Sequence, residues 1–260
     1  QIDCSIKTTH TMSRAWTSAL YLISRLAISV PSRVSQTLCK FSKSKNIVVE
    51  GIYSHFSTAE EKNTEYRDWQ LKCFKEVVIR IKESLPQVEY IHMANSAAVL
   101  TYPEALFNMV RPGILLYGVT PLSEPHDYLF PVMKMKAPIT LIKEFNTGES
   151  VGYNREYILE KNEKIAIIQA GYADGIPVEF SNRGEVEIEG YLYPIVGRVS
   201  MDLVAIRCGG MEIKTGQEAI FWGSDNVNLR LETLAGKYEK IPYAFLTGVS
   251  KRVKRNYINE

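Results

Sequence analysis

Apolar and polar residues alternate along the middle of the chain as in strands and helices joined by short turns. The run IVVEGIYSHF, residues 47–56, is apolar and β-branched, which is typical of a buried parallel strand, and residues 88–96 and 108–118 predict two more. Apolar residues recur at three-to-four spacing over 69–85, which predicts an amphipathic helix, and a short helix with a proline near its start is predicted around 102–107. This alternation predicts βαβ units and a parallel sheet.

From about Leu129 the pattern changes to strand-like runs separated by Gly, Asn and Asp turns. Helices are predicted near Leu231–Lys237 and Tyr243–Val249, before a basic tail. We therefore predict a first domain over 46–130 and a mostly β domain over 131–260. The predicted strands of the second domain are APITLIKEF, KIAIIQAGY, GEVEIEGYLYPIVG, DLVAIRC and QEAIFWG.

Composition bounds the class of protein. A chain of 260 residues with 45% hydrophobic residues can build one large core or two smaller ones. Its formal charge of +2 is too small to indicate nucleic-acid binding, so no nucleic-acid partner is predicted. The four cysteines are scattered without a CxxC pair, so neither a metal site nor a disulfide framework is predicted.

The first 45 residues differ from the rest. Residues 1–46 contain seven Lys or Arg and one acid, a charge of +6, so residues 47–260 carry 2 − 6 = −4. A basic, Ser-rich, acid-poor start is compatible with an organelle transit peptide or with a damaged or misread N-terminus. The apolar run Ala19–Val30 is interrupted by Ser24 and Arg25 and is too short to span a bilayer, so no membrane association is predicted.

Each predicted strand of the first domain ends in a polar or glycine-containing turn, and in the third run this turn lies inside residues 108–118. His55 follows the first strand, Ser96 the second, and Arg111 and Gly113 lie within the third. In a (β/α) barrel the active site forms at the C-terminal ends of the strands, and phosphate is often bound by the last loops. Ser96 can offer a hydroxyl to a phosphate, and Gly113 allows close approach of backbone N–H groups. A structural role for His55 is the alternative.

Seven motifs occur together in one order: GIYSHFSTAEE, IHMANSAAVL, NMVRPGILLYG, SVGYNREY, GYADG, GRVSMD and IPYAFLT. Over about residues 46–255 the chain resembles the alanine racemases, which use pyridoxal 5'-phosphate (PLP). The resemblance implies an α/β plus β fold: a partial (β/α)8 TIM barrel, about strands 5–8, followed by a mostly β C-terminal domain.

The resemblance also implies catalytic roles. Arg111 matches the arginine that meets the pyridine nitrogen of the cofactor, and a guanidinium does not readily give up its proton. Tyr153 matches a tyrosine that acts as acid and base on one face of the substrate. A free tyrosine has a pKa near about 10, so it needs positive neighbours or hydrogen bonds to work near neutrality. His55 matches the histidine in a hydrogen-bond chain with that arginine and tyrosine.

Binding roles follow in the same way. The residues that match phosphate contacts are Ser96, Gly113, Ile114 and Tyr243. Met201 matches a residue whose backbone N–H meets the substrate carboxylate, and Tyr172 and Asp202 match the lining of the substrate access path. Tyr243 and Met201 are also compatible with plain core packing, and Asp174 with a simple turn role.

The resemblance implies a cytoplasmic homodimer with shared active sites that interconverts L-alanine and D-alanine for peptidoglycan precursors. Two alternatives remain open. One is a serine racemase of the related membrane-anchored type, in which an asparagine tends to replace Tyr243, so Tyr243 favours alanine. The other is a noncatalytic remnant.

The chain departs from the family pattern at its start. Racemisation needs a base on each face of the α-carbon, and nothing here matches the motif VVKANAYGHG that carries the family's cofactor-binding lysine. The segment IKTTHTMSRAW keeps the spacing of Lys7 and Arg14 in the family pattern IKxDTGMSRLG but has lost DTG. Val178 replaces an arginine usual in the family, which is expected to loosen the access path.

Overall fold

The computed structural model describes residues 49–258, so the predicted first segment, with Lys7 and Arg14, lies outside the described residues. The chain forms two compact units that divide after Gly113. This division is earlier than the one predicted after residue 130. Segment 114–131 packs with the second unit: Ile114 is part of that unit's core, and Val132 donates a backbone hydrogen bond to Tyr117 O at 3.1 Å.

Unit 1 is a three-stranded parallel sheet with helices between its strands. The strand order is β1-β2-β3, with Gly51 opposite Tyr90 and Asn95 opposite Arg111. Helix α1 turns Leu71, Phe74, Val77 and Ile81 inward, the spacing that the sequence indicated. The elements are β1 (Gly51–Tyr53), α1 (Glu65–Ser84), β2 (Tyr90–Asn95), α2 (Ser96–Thr101) and β3 (Met109–Arg111).

The short helix predicted around residues 102–107, with Pro103 near its start, is present only as a 3₁₀ turn, and the α-helix before it was not predicted. Helix α2 begins directly after β2, where the Asn95 side chain accepts a hydrogen bond from Ala98 N at 3.0 Å and caps the first turn. Tyr102 leaves the helical region, with φ −139° and ψ 73°, as expected of a residue that precedes proline. Only a 3₁₀ turn, Pro103–Ala105, follows.

Unit 2 contains a closed, fully antiparallel barrel of six strands in the order β10-β7-β4-β11-β8-β9. The prediction of a mostly β second domain is therefore confirmed, while the closure of the sheet was not predicted. A two-stranded sheet, β5–β6, lies outside the barrel order. The strands are β4 (Met135–Phe145), β5 (Ser150–Val151), β6 (Tyr157–Ile158), β7 (Glu163–Ile168), β8 (Glu185–Ile188), β9 (Tyr191–Val196), β10 (Val204–Arg207) and β11 (Glu218–Trp222).

Two short helices complete the barrel core, α3 (Leu231–Lys237) and α4 (Pro242–Gly248). The first has the predicted bounds, and the second begins and ends one residue earlier than predicted. Alternate residues of the barrel strands point inward, as period-2 patterning requires, and the helices add apolar side chains to the same core. Fully buried members of this core include Ile168, Phe180, Val186, Ile206, Phe221, Trp222 and Phe245. Within residues 49–258, none of the helices combines the length and apolar character needed to cross a membrane.

Candidate active site

Arg111 is the centre of a hydrogen-bond cluster at the C-terminal end of the unit 1 strands. Its Nη1 lies 2.5 Å from His92 Nδ1, and its Nη2 lies 3.0 Å from His55 Nδ1. Nη2 also donates to the backbone carbonyl of Ser54 at 2.9 Å. The guanidinium lies 5.1 Å from the centroid of the Tyr53 ring, and that ring stacks on His92 at 5.1 Å and 8°. Three strands that are distant in sequence therefore fix one guanidinium.

Both imidazoles around Arg111 are held neutral. Burial, and then the nearby guanidinium, lower the pKa of His92 to about 4. The same two causes lower the pKa of His55. A neutral imidazole can accept a hydrogen bond through Nδ1 when its proton is on Nε2. Arg111 is thus oriented by neutral acceptors, and none of the ion pairs found among residues 49–258 includes it.

The predicted phosphate-contact residues lie at chain turns. Ser96 is the first residue of α2 and is 3% exposed, whereas Gly113 is exposed and its N–H donates to Arg111 O at 3.0 Å. A Cβ added to Gly113 would meet nothing within 4 Å. Ile114, the first residue of unit 2, is buried, and Tyr243 lies on α4 with a partly exposed side chain.

Tyr153 lies at the tip of the β5–β6 hairpin, and its side chain is 68% exposed. Three residues around it have left-handed backbones: Gly152 at φ 81°, Asn154 at φ 59° and Arg155 at φ 54°. For non-glycine residues such conformations cost on the order of 1–3 kcal/mol each and are retained where surrounding contacts impose them. Arg155 Nε donates to Ser150 Oγ at 3.2 Å, one contact that holds the turn. The hairpin therefore presents Tyr153 outward on a constrained backbone.

The loops that carry Tyr172 and Met201 are joined through their backbones. Tyr172 N donates to Ser200 O at 3.0 Å, and Ala173 N donates to Met201 O at 3.1 Å. The two side chains, Tyr172 and Met201, are about half exposed, at 51% and 49%. The sequence motifs GYADG and GRVSMD thus meet in unit 2.

Arg252 connects these loops to the C-terminal tail, a contact that no motif in the sequence predicts. Its Nε lies 2.7 Å from Asp174 Oδ1, its Nη2 lies 3.0 Å from Asp174 Oδ2, and Nη2 also contacts Asp202 Oδ1. Asp174 is at the same time a turn residue, because its Oδ2 accepts from Gly171 N at 2.9 Å. The hydrogen bonds from Arg252 are the largest cause that lowers the pKa of Asp174.

We expect Arg252→Ala to loosen the Tyr172 and Met201 loops. The change removes the charge-assisted hydrogen bonds to Asp174 and Asp202, so amide exchange at Tyr172 and Ala173 should accelerate roughly threefold to tenfold. Hydrogen exchange with mass spectrometry at neutral pH checks this. Lys254→Ala removes one positive charge from the same tail and should leave both amides unchanged. Equal exchange in the two variants would contradict this role of Arg252.

The structure places no lysine on a strand of unit 1 among the described residues. In the range 49–113 the lysines are at position 62 and at positions 72, 75 and 82 of helix α1. No group of three or more potential metal ligands was found in residues 49–258. The described part of unit 1 thus contains the arginine cluster without a neighbouring strand lysine.

Family comparison accounts for both units. The family models for the alanine racemase N-terminal and C-terminal domains match residues 24–121 and 132–257. The first match begins earlier than the motifs indicated. The alanine racemase of Vesicomyosocius okutanii is 41% identical over 202 residues, covering 78% of this chain and 55% of that protein. The one from Clostridium novyi is 39% identical over 219 residues, covering 82% and 57%.

Solved structures give the same result. The alanine racemase from a D-cycloserine-producing Streptomyces lavendulae aligns with a TM-score of 0.80 at 30% identity, over 88% of this chain and 62% of that one. The Bartonella henselae alanine racemase with covalently bound pyridoxal phosphate aligns with a TM-score of 0.74 at 31% identity, over 87% and 62%. The chain spans a little over half the length of the relatives it matches. Matched along most of its length by both domain models, the chain belongs to the alanine racemase family.

Proposed function

We propose that this chain is part of a PLP-dependent alanine racemase and supplies the pyridine-nitrogen contact and the tyrosine base. The observation that carries the proposal is the Arg111 cluster. A half-buried guanidinium held by two neutral imidazoles and a backbone carbonyl is a permanent cation fixed in one direction. Such a donor suits an unprotonated pyridine nitrogen, because it can donate a hydrogen bond without transferring a proton.

The residues fit the remaining parts of the cofactor. The Ser96 hydroxyl, the backbone at Gly113 and Ile114, and the Tyr243 side chain would hold its phosphate. The open space around Gly113 supports this assignment, since a Cβ there would meet nothing within 4 Å. When bound, pyridoxal phosphate withdraws electrons from the substrate's α-carbon and so makes its α-hydrogen acidic.

Tyr153 would hold or deliver the proton on one face of the α-carbon. Its exposure on a constrained hairpin supports action on a site completed by a second copy of the chain, as the proposed homodimer requires. The Met201 backbone N–H would bind the substrate carboxylate, and Tyr172 and Asp202 would line its access path. We assign alanine as the substrate because a tyrosine stands at position 243, where the related serine racemases tend to carry the smaller asparagine, and we assign a cytoplasmic role in peptidoglycan precursor synthesis.

A noncatalytic role for this chain alone is the second candidate. Racemisation also needs a base on the opposite face, and the described lysines of unit 1 lie in a loop and on α1. Cofactor binding and covalent attachment are therefore separate questions, and an experiment can distinguish them.

The first test is cofactor binding by the full chain. We expect saturable binding of PLP that Arg111→Gln weakens about tenfold, the loss of one hydrogen bond from a charged donor. Arg80→Gln, which removes an exposed arginine from α1, is the matched control and should bind like the wild type. Binding that is equally affected, or unaffected, in both variants would overturn the proposal.

The second test is covalent trapping. The chain is incubated with PLP, reduced with borohydride, and its modified lysines are mapped by mass spectrometry. A stoichiometric adduct at one lysine supports a catalytic role, which an alanine racemisation assay then measures. Sparse labelling of many lysines, together with Arg111-dependent binding, supports the noncatalytic candidate for this chain.

A further inference from the structure

The Tyr153 hairpin lies directly against the segment that leads to Met201. A Cβ added to Gly152 would lie 2.8 Å from Arg198 N, and one added to Gly197 would lie 2.7 Å from Val151 O. Both glycines have left-handed backbones, at φ 81° and φ 72°. The two backbones therefore approach so closely that a β-carbon on either would clash.

Asn182 connects the two segments through both polar atoms of its side chain. Its Oδ1 accepts a hydrogen bond from Gly197 N at 2.6 Å, and its Nδ2 donates to Glu156 O at 3.3 Å. Gly197 begins the GRVSMD motif, and Glu156 is three residues after Tyr153. The neighbouring Ser181 also contacts the segment that leads to Met201, since its Oγ accepts a hydrogen bond from Val199 N at 2.9 Å.

The side chain of Glu156 adds a further connection between the hairpin and the segment that leads to Met201. Its Oε1 accepts from Arg198 Nη1 at 3.3 Å and from Asn154 Nδ2 at 3.5 Å. Asn154 is one of the left-handed residues beside Tyr153. The contacts that fix the strained turn thus come from the Met201 segment and from Asn182, not only from the hairpin itself.

A simple turn role does not account for Asn182. Its own backbone is left-handed, at φ 53°, a conformation in which asparagine is common. Asparagine in a turn ordinarily forms hydrogen bonds with its own neighbouring backbone. The Asn182 side chain instead forms hydrogen bonds with Gly197, 15 positions later in the sequence, and with Glu156, 26 positions earlier. These two hydrogen bonds, which together form the Asn182 bridge between the segments, explain why asparagine occupies this position.

We propose that Asn182 is a positioning residue that sets Tyr153 relative to the backbone N–H of Met201. The proposal rests on the proposed roles of those two residues. Asn182 touches neither; it acts through Glu156 O and Gly197 N. The distance between the tyrosine base and the carboxylate contact then depends on a residue outside all seven family motifs.

Asn182→Gly tests the bridge without strain, because glycine keeps the left-handed backbone and removes only the amide. We expect exchange of the Gly197 amide and of residues 150–158 to accelerate on the order of tenfold, with β7 unchanged as an internal reference. Glu189→Gly, another left-handed residue with φ 50° in the β8–β9 turn, is the matched control and should leave both regions unchanged.

Asn182→Asp separates the two bonds. It keeps an acceptor for Gly197 N and loses the donor to Glu156 O, so protection at Gly197 should be retained while residues 150–158 remain fast. Wild-type exchange in Asn182→Gly, or equal acceleration in β7, would overturn the proposal. Because these measurements need no cofactor, a failure of PLP binding refutes the proposed function and leaves the exchange result to decide the bridge.

Discussion

An alanine at position 171 is expected to destabilise unit 2 by about 3 kcal/mol. The added Cβ would lie 2.2 Å from Ser200 O and 2.4 Å from Met201 O, which are backbone atoms that no rotamer change can move. Displacing them would break the hydrogen bonds that Tyr172 N and Ala173 N donate to the same two carbonyls. The penalty therefore includes overlap and the loss of the connection between the two loops.

Urea unfolding followed by near-ultraviolet circular dichroism measures this change. Gly236→Ala is the matched control, because Gly236 lies on helix α3 and its added Cβ would meet nothing within 4 Å. That variant should be neutral or more stable by up to about 1 kcal/mol. Similar unfolding midpoints for the two variants would show that the loops separate without cost.

Acid is expected to weaken unit 1 through His92. The pKa of His92 is about 4 in the folded chain against an ordinary 6.5. Between these two pH values the unfolded chain therefore binds a proton at His92 and the folded chain does not. Its contribution to stability is complete above about pH 6.5 and is lost progressively as the pH falls to about 4. The loss amounts to at most about 3 kcal/mol, and His55 adds to it in the same direction.

His92→Gln separates this contribution from that of the carboxylates, which titrate equally in both proteins. Glutamine can still accept from Arg111 but cannot be protonated, so the fall in unfolding free energy between pH 6.5 and 4 should be smaller in the variant. Arg111→Gln should reduce the fall only in part, since burial, the larger cause of the lowered pKa, remains. Parallel pH profiles for wild type and His92→Gln would refute the assignment.

Local patterns in the sequence predicted most elements of the fold. Helix α1 has an apolar face with regular spacing, and α3 has the predicted bounds. Helix α2 was not predicted because its sequence, SAAVLT, is too short to show a helical period, and its first three residues are all buried. Closure of the barrel was missed because pairing such as that of β10 with β7 depends on long-range register, which no local pattern carries.

The site was predictable to the extent that it rests on motifs. Arg111 and His55 were assigned from strand ends and resemblance, and the structure brings them within 3.0 Å. The contact of His92 with Arg111 is seen only in the structure, where pairing of β2 with β3 places His92 opposite Met109, two residues before Arg111. Arg252 and Asn182 could not be found, because each acts across tens of residues through side-chain contacts that leave no periodic signal.

The closed barrel also limits how copies of this chain can associate. An open sheet ends in strands whose free amides and carbonyls can recruit another chain, whereas a ring has no such end. Each strand of the unit 2 ring already has two neighbours. Association by strand pairing is therefore confined, within the described residues, to the outer strands β1 and β3 and to the small β5–β6 sheet that carries Tyr153.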